Sequence, residues 1–169
     1  MATRNTITVM ADNTYTVQRS TKIEAPAERI YDQIVDFHSW VNWSPWEDID
    51  PELRRTYSGP SSGTGAAYNW SGNRKAGQGR MQITAATAPS TVQIDLVFEK
   101  PFKGHNKTEF SIRPEGSGSL VTWSMTGRKT LMTKVMGIFV TMEKFIGPDF
   151  EKGLARLKAS SERAPEAHG

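Results

Sequence analysis

The sequence predicts an α+β fold in which a seven-stranded antiparallel curved sheet wraps around a long C-terminal helix, with two short helices after strand 1. Three observations lead to this prediction. Residues 132–158 carry apolar side chains at spacings of three and four, the spacing of one helix face. About seven strand-like runs precede them and contain almost no other helical pattern. A helix with such a wide apolar face must be covered, and the strands are the only available cover.

The first strand is predicted from an alternation of period two near the N-terminus. The residues expected on its covered face are Tyr15, Val17, Arg19, Thr21 and Ile23. A short helix should follow directly, because Pro26 suits a first helical turn, where its missing N–H is not needed. Ile30 and Ile34 then supply helical spacing.

A second short helix is predicted in a tryptophan-rich segment. Residues 39–46 contain three of the five tryptophans, and Trp40 and Trp43 are three apart, so they would share a helix face that ends before Pro45. Because a tryptophan buries a large area, core packing is the expected role of Trp40 and Trp43. Trp46 lies beyond the proline, and for it both the core and an exposed position stay open.

Six further strands are predicted between residues 52 and 129. Their runs are 52–59, 65–73, 79–88, 91–100, 105–116 and 119–129, and the connectors are rich in Gly, Pro, Ser and Asn, which favour turns. Connectors this short imply that neighbouring strands pair antiparallel. Val92, Ile94 and Leu96 share one face of their strand, which indicates that one sheet face meets the core. The same parity predicts that Asp95 points outward.

The long C-terminal helix contains Gly147-Pro148 within its apolar stripe. Proline removes a backbone hydrogen bond and crowds the carbonyl four residues back, so the helix should kink or split there. Two interpretations stay open. A bend would keep the helix against a curved sheet, whereas a hinge would make Leu131–Ile146 a movable lid over the space beneath it.

Composition predicts a single domain at residues 15–160, between a loose tail at 1–14 and a flexible tail at 161–169. The net charge of +3 is scattered along the chain, so no nucleic-acid partner is expected. The absence of cysteine excludes disulfides, thiolate metal sites and a cysteine nucleophile. No run approaches the roughly 20 apolar residues of a membrane span, and residues 1–13 lack a signal-peptide core. The expectation is a cytoplasmic protein without integral membrane association.

Conventional catalytic motifs do not occur in the sequence. Its three histidines include no pair at metal-ligand spacing, and no serine has the G-x-S-x-G frame. Gly63-Thr64-Gly65 and Gly77-Gln78-Gly79 are typical of turns, since neither lies between a strand and a crossover helix. We therefore expect no metal ion and no cofactor, and no residue is singled out as catalytic.

The order of elements, together with several short motifs, resembles the START-like or SRPBCC superfamily, and within it the polyketide cyclase/dehydrase type of helix-grip protein. The resemblance covers about residues 15–160 and rests on the order and spacing of motifs that are individually weak. These are Ile23-Glu24-Ala25-Pro26, Asp36 with Trp40, Trp43 and Pro45, the segments 65–70, 77–81 and 121–127, and Gly147-Pro148-Asp149-Phe150 continued through Leu154.

The resemblance implies a hydrophobic cavity whose contents differ from member to member. The first hypothesis is a protein that binds a small hydrophobic ligand, such as a lipid, a polyketide-like or an isoprenoid-like compound, between sheet and helix. The second is a cofactor-independent cyclase or dehydratase that uses the same cavity, and the third is a protein-interaction or stress-response module. The residues expected to line the cavity are Tyr68, Trp70, Met81, Trp123, Met125, Met136 and Phe139.

Overall fold

A seven-stranded sheet and a long C-terminal helix form the framework of the protein. The structure, a computed structural model, describes residues 14–101, 103–128 and 138–163. The strands are β1 (Thr14–Ile23), β2 (Arg54–Ser58), β3 (Ala67–Ser71), β4 (Gln78–Thr87), β5 (Thr91–Lys100), β6 (Gly104–Glu115) and β7 (Gly118–Arg128). The helices are α1 (Ala27–Val35), a 3-10 helix (Phe37–Asn42) and α2 (Ile138–Glu162). This architecture confirms the fold class predicted from the sequence.

The sheet is a meander whose first strand pairs with its last. The strand order is β1-β7-β6-β5-β4-β3-β2, and the neighbouring strands run antiparallel. β1 pairs with β7 along its whole length, from Thr14 opposite Arg128 to Ile23 opposite Ser119. β1 and β2 are therefore the two edges of the sheet, and the chain between them carries both short helices.

Side chains alternate between a core face and an outer face, as the sequence predicts. On β5, Val92, Ile94 and Leu96 are buried, whereas Gln93 is exposed. Asp95 lies on the outer face, with Oδ2 at 3.5 Å from Nε2 of His105. Because only one face of each strand is apolar, the core lies on the side of the sheet that faces α2.

The structure differs from the predicted helices in two respects. The second short helix is a 3-10 helix that ends at Asn42, before Trp43. α2 is continuous through Pro148, so the predicted alternative of a split helix is wrong. Pro148 has no N–H to donate to the backbone carbonyl of Lys144, four residues earlier. Because Pro148 and Lys144 are both exposed, water can bond to that carbonyl instead. Residues 131–137 of the predicted lid lie outside the described residues.

Six aromatic rings meet where α2 crosses the sheet. This aromatic cluster consists of Trp40, Trp43, Trp46, Phe110, Trp123 and Phe150. Trp123 on β7 is its centre, because its ring stacks on Phe150 of α2 at 4.0 Å and on Phe110 of β6 at 4.8 Å. The other three tryptophans contact Trp123 edge-on. Trp40 and Trp43 are buried, which confirms the core packing expected of them.

Polar contacts tie α2 to β1. Arg19 is buried on the inner face of β1, and its Nε lies 3.0 Å from Oε1 of Glu151 on α2. Near the end of the helix, Glu162 accepts a hydrogen bond of 2.8 Å from the backbone N–H of Glu24 and forms an ion pair with Lys158. These contacts align the helix with the edge strand β1, while the aromatic cluster fixes the distance between the helix and the sheet.

The close contact between α2 and the aromatic cluster generates a prediction about Gly153. A Cβ added there would lie 2.8 Å from Cζ3 of Trp123 and 3.0 Å from Cδ of Pro45. We expect Gly153→Val to lower the free energy of unfolding by about 1–3 kcal/mol, because the helix must move away from the sheet. Urea unfolding measures this loss. Lys152→Val, on the exposed side of the helix, is the control for helix propensity, and an equal loss in both variants would contradict the prediction.

Candidate functional site

A cavity of about 240 Å³ lies between the inner face of the sheet and α2. Strands, the 3-10 helix, the chain after it and α2 all contribute to its wall. The lining residues are Phe37, Trp40, Ser44, Trp46, Glu47, Ile49, Leu53, Tyr68, Trp70, Lys75, Ala76, Met81, Leu96, Phe98, Met125, Ile146 and Asp149. Six of these are aromatic and seven are aliphatic or methionine, so the wall is mainly apolar.

The strands supply the floor of the cavity through a row of directly paired residues. Tyr68 on β3 lies opposite Met81 on β4, which in turn lies opposite Leu96 on β5. Their alternation with outward-facing residues brings all three to the same face. Trp70 and Phe98 continue the wall, and their rings contact edge-on at 5.9 Å. The alternation of residues along β3, β4 and β5 therefore accounts for this side of the cavity.

The chain between the 3-10 helix and β2 forms the opposite side. This bridging loop, residues 43–53, is tied to α2 by Trp46, whose Nε1 donates to Oδ2 of Asp149 at 3.3 Å. Arg156 of α2 donates to the backbone oxygen of Ser44 at 3.0 Å and pairs with Asp48. The hydrogen bond from Arg156 lowers the pKa of the Asp48 carboxyl group. The loop is therefore fixed to the helix by several independent contacts.

Asp50 ties the far end of the bridging loop to the turn between β3 and β4. Its side chain is buried and accepts a hydrogen bond of 2.7 Å from the backbone N–H of Asn73 and one of 2.9 Å from that of Glu52. Ala76 of the same turn belongs to the cavity wall. The loop thus spans from the helix to the hairpin turn and closes the cavity on that side.

One part of the wall is polar. Glu47 of the bridging loop lines the cavity, and the exposed fraction of its side chain is 15%. Nη2 of Arg55, on β2, donates to Oε2 of Glu47, whereas no described residue donates to Oε1. Arg55 is not among the lining residues, and within the described part of the chain its buried Nε has no hydrogen-bond partner. The arrangement places a carboxylate in the cavity wall, paired with an arginine that is not among the lining residues.

Tyr68 is the second polar group in this part of the wall. Burial raises the pKa of its hydroxyl to about 12, and the negative charge of Glu47 acts in the same direction. The hydroxyl is therefore protonated and neutral at physiological pH. A neutral phenol beside a carboxylate can position a polar ligand group or exchange protons with it.

The structure brings four of the seven predicted lining residues to the cavity: Tyr68, Trp70, Met81 and Met125. Trp123 is not part of the wall that the described residues form. Its ring is only 1% exposed, because it is enclosed in the aromatic cluster. Met136 lies outside the described residues. Phe139 lies in α2, and its side chain is outside the described part of the chain.

No sequence pattern indicates Glu47 or Asp149 as lining residues. Both reach the cavity through the contact between the bridging loop and α2, about a hundred positions apart in sequence. Such a contact leaves no periodic signal. Within residues 14–101, 103–128 and 138–163, no group of His, Asp and Glu side chains could hold a metal ion. None of the described helices is both long and apolar enough to cross a membrane.

A family model described as polyketide cyclase / dehydrase and lipid transport matches residues 14–162. No curated protein matches the chain in sequence. Protein CV1439 from Chromobacterium violaceum is 13% identical with a TM-score of 0.64, over 88% of this chain and 98% of that one. The di-domain ARO/CYC protein BexL from the BE-7585A biosynthetic pathway is 15% identical with a TM-score of 0.64, over 90% of this chain and 52% of that one. Ara h 8.0201 is 14% identical with a TM-score of 0.52, and the match covers 80% of this chain and 99% of that one. At these identities the likenesses show the fold alone.

The buried hydroxyl of Tyr68 predicts a loss of stability at high pH. The pKa of about 12 in the folded state exceeds the ordinary value of 10.0. The contribution of the neutral Tyr68 hydroxyl to stability is therefore fully present below about pH 10 and is lost as the pH rises through 12. The shift corresponds to roughly 2–3 kcal/mol. We expect Tyr68→Phe to retain more of its stability between these pH values in urea unfolding. Parallel pH curves for variant and unsubstituted protein would contradict this assignment.

Proposed function

The chain belongs to the polyketide cyclase / dehydrase and lipid transport family, and from that premise we propose that it binds a small hydrophobic molecule in the cavity between its sheet and α2. The observation that carries the proposal is the wall itself, which surrounds a mainly apolar space with few polar groups. Ligand sites in proteins have this character: apolar surface supplies affinity and a few polar atoms fix orientation.

The size of the cavity bounds the ligand. An apolar cavity of about 150 Å³ accommodates one benzene molecule, so 240 Å³ suits a molecule of roughly two rings. Burying about 200 Å² of its surface would contribute ~5 kcal/mol before the cost of immobilisation. Six aromatic rings in the wall favour flat ring systems, which stack, over a long acyl chain. Among the candidate classes, a cyclic polyketide-like compound fits this wall better than an extended lipid.

A second candidate function is catalysis of ring closure in the same cavity. Glu47 and Tyr68 favour it, since a carboxylate and a protonated phenol in one apolar site are a candidate base and acid. The carboxylate would take a proton from carbon next to a carbonyl, and the phenol would donate to the carbonyl oxygen that is attacked. Loss of water would then complete an aldol condensation. The wall would contribute by holding the folded substrate in position.

The third hypothesis, a protein-interaction module, has less support. It requires a solid core and an exposed apolar patch. Among the described residues the large apolar side chain that is clearly exposed is Val41, at 52%, and a single side chain is ordinary for a protein surface. The cavity, by contrast, is a feature that only the two ligand hypotheses explain.

Filling the cavity should abolish ligand binding. Met81 lies in the middle of the floor, and Met81→Trp would occupy much of the space. We expect calorimetric titration with 2-naphthol to show binding to the unsubstituted protein and at least tenfold weaker binding to this variant. Gln82→Trp is the matched control, because Gln82 is the next residue on β4 and is exposed. Equal affinity of both variants would place the binding elsewhere.

Catalysis can be tested with a linear triketone. Heptane-2,4,6-trione loses one water on aldol closure to 3,5-dihydroxytoluene, which absorbance and chromatography detect. If the cavity is catalytic, the protein accelerates this reaction, and Glu47→Gln slows it by about a hundredfold or more, since general acid–base groups contribute roughly 10²–10⁴-fold. Glu109→Gln, on the outer face, is the control. A rate equal to that without protein would leave binding as the function.

A further inference from the structure

We infer that the cavity selects ligands whose polar end donates a hydrogen bond, a hydroxyl or a protonated amine on an aromatic body, and that it discriminates against carboxylates. This inference rests on the proposed binding function and concerns the chemistry of the same site. It follows from which polar atoms of the wall are already engaged and which are free.

The indole donors of the wall are occupied. Each of its three tryptophans uses its indole N–H within the protein. Trp40 Nε1 donates to the backbone oxygen of Ile34 at 2.9 Å, and Trp70 Nε1 donates to that of Ala76 at 3.0 Å. The indole of Trp46 donates to Asp149. A ligand that offered only acceptor atoms would therefore find none of these indole donors available.

The acceptors of the wall are partly free. Oε2 of Glu47 is engaged by Arg55, but no described residue donates to Oε1. The side chain is 15% exposed and lines the cavity, so a ligand donor can replace water at Oε1. A hydrogen bond to a charged acceptor is stronger than one between neutral groups. Glu47 is therefore the residue in the wall that forms the strongest hydrogen bond with a ligand donor.

The position of Arg55 adds to the discrimination. Its guanidinium is not among the lining residues, and it is already paired with the Glu47 carboxylate. Asp149 adds a second carboxyl group to the lining. The cation in the described wall is Lys75, whose side chain is exposed, and water screens its charge. A ligand anion would meet two carboxyl groups in the lining, and the cation beside them, Arg55, is already paired with Glu47.

Tyr68 does not alter this preference. Its neutral hydroxyl both donates and accepts, so it can bond a ligand hydroxyl, carbonyl, amine or carboxylate and excludes none of them. The burial that keeps it neutral also keeps it from repelling an anion. Discrimination between a donor and a carboxylate therefore falls to the two carboxyl groups of the lining, and Glu47, whose side chain is only 15% exposed, is the main specificity-determining residue.

Four two-ring probes test the inference on the full chain at neutral pH. They are 2-naphthol, 2-(aminomethyl)naphthalene, naphthalene and 2-naphthoate, which share one aromatic body. Calorimetric titration, or quenching of the tryptophans in the wall, gives the dissociation constants. We expect the naphthol and the amine to bind at least tenfold more tightly than the naphthoate, and more tightly than naphthalene. The tighter of the two donors identifies which head group the site prefers.

Substitution of Glu47 isolates the cause. Glu47→Gln should reduce the ratio between naphthol and naphthoate to within about threefold, because the amide carries no charge and offers a donor of its own. Glu109→Gln on the outer face should leave the ratio unchanged. If Glu47→Gln leaves Arg55 unpaired and unfolds the protein, the double variant Glu47→Gln with Arg55→Met removes that unpaired, partly buried charge and serves for the same comparison.

The outcomes separate this inference from the function on which it rests. Equal affinity for all four probes, or an undiminished ratio in the Glu47 variants, overturns the selectivity and leaves the binding function standing. Failure of all four probes to bind overturns both. Tighter binding of the naphthoate reverses the inference and assigns the cavity to organic acids.

Discussion

The stacking of Trp123 on Phe150 is the contact on which the arrangement of the protein depends. Phe150 belongs to α2 and Trp123 to β7, and their rings lie 4.0 Å apart at an angle of 11°. Phe110 of β6 also stacks on Trp123, at 4.8 Å. The tryptophans of the 3-10 helix and the bridging loop contact Trp123 edge-on. A strand pair, a loop and a helix thus meet at the side chain of Trp123. The stacking of Trp123 on Phe150 sets the separation of helix and sheet.

The cavity is a consequence of that separation. On one side of Trp123 the aromatic rings fill the space, whereas towards β3 and β4 the floor consists of Tyr68 and Met81 and leaves about 240 Å³ open. The bridging loop closes the opening by bonding both to α2 and to the turn after β3. Because the loop also carries Glu47, the element that closes the cavity supplies its charge. Packing and chemistry of the site are therefore linked through one short segment.

The sequence was sufficient for the parts of the molecule that follow local patterns. Alternation predicted the strands and the face on which Tyr68, Met81 and Met125 lie, and the antiparallel order followed from the short turns. Trp123 shares that parity but not the cavity, because parity gives the face of a residue and not its distance from the helix. Glu47 and Asp149 could not be found, since their approach depends on tertiary contacts between distant segments. The continuous helix at Pro148 likewise depended on which side of α2 faces water.

The central claim, that a small aromatic molecule occupies the space between sheet and helix, is tested most directly by methyl NMR of the methionines. The chain has seven methionines, of which Met81 and Met125 line the cavity. With ¹³C-methyl-labelled protein and added 2-naphthol, the account predicts nuclear Overhauser contacts between the naphthol protons and the methyl groups of these two residues. Saturable binding without contacts to either methyl group would contradict it.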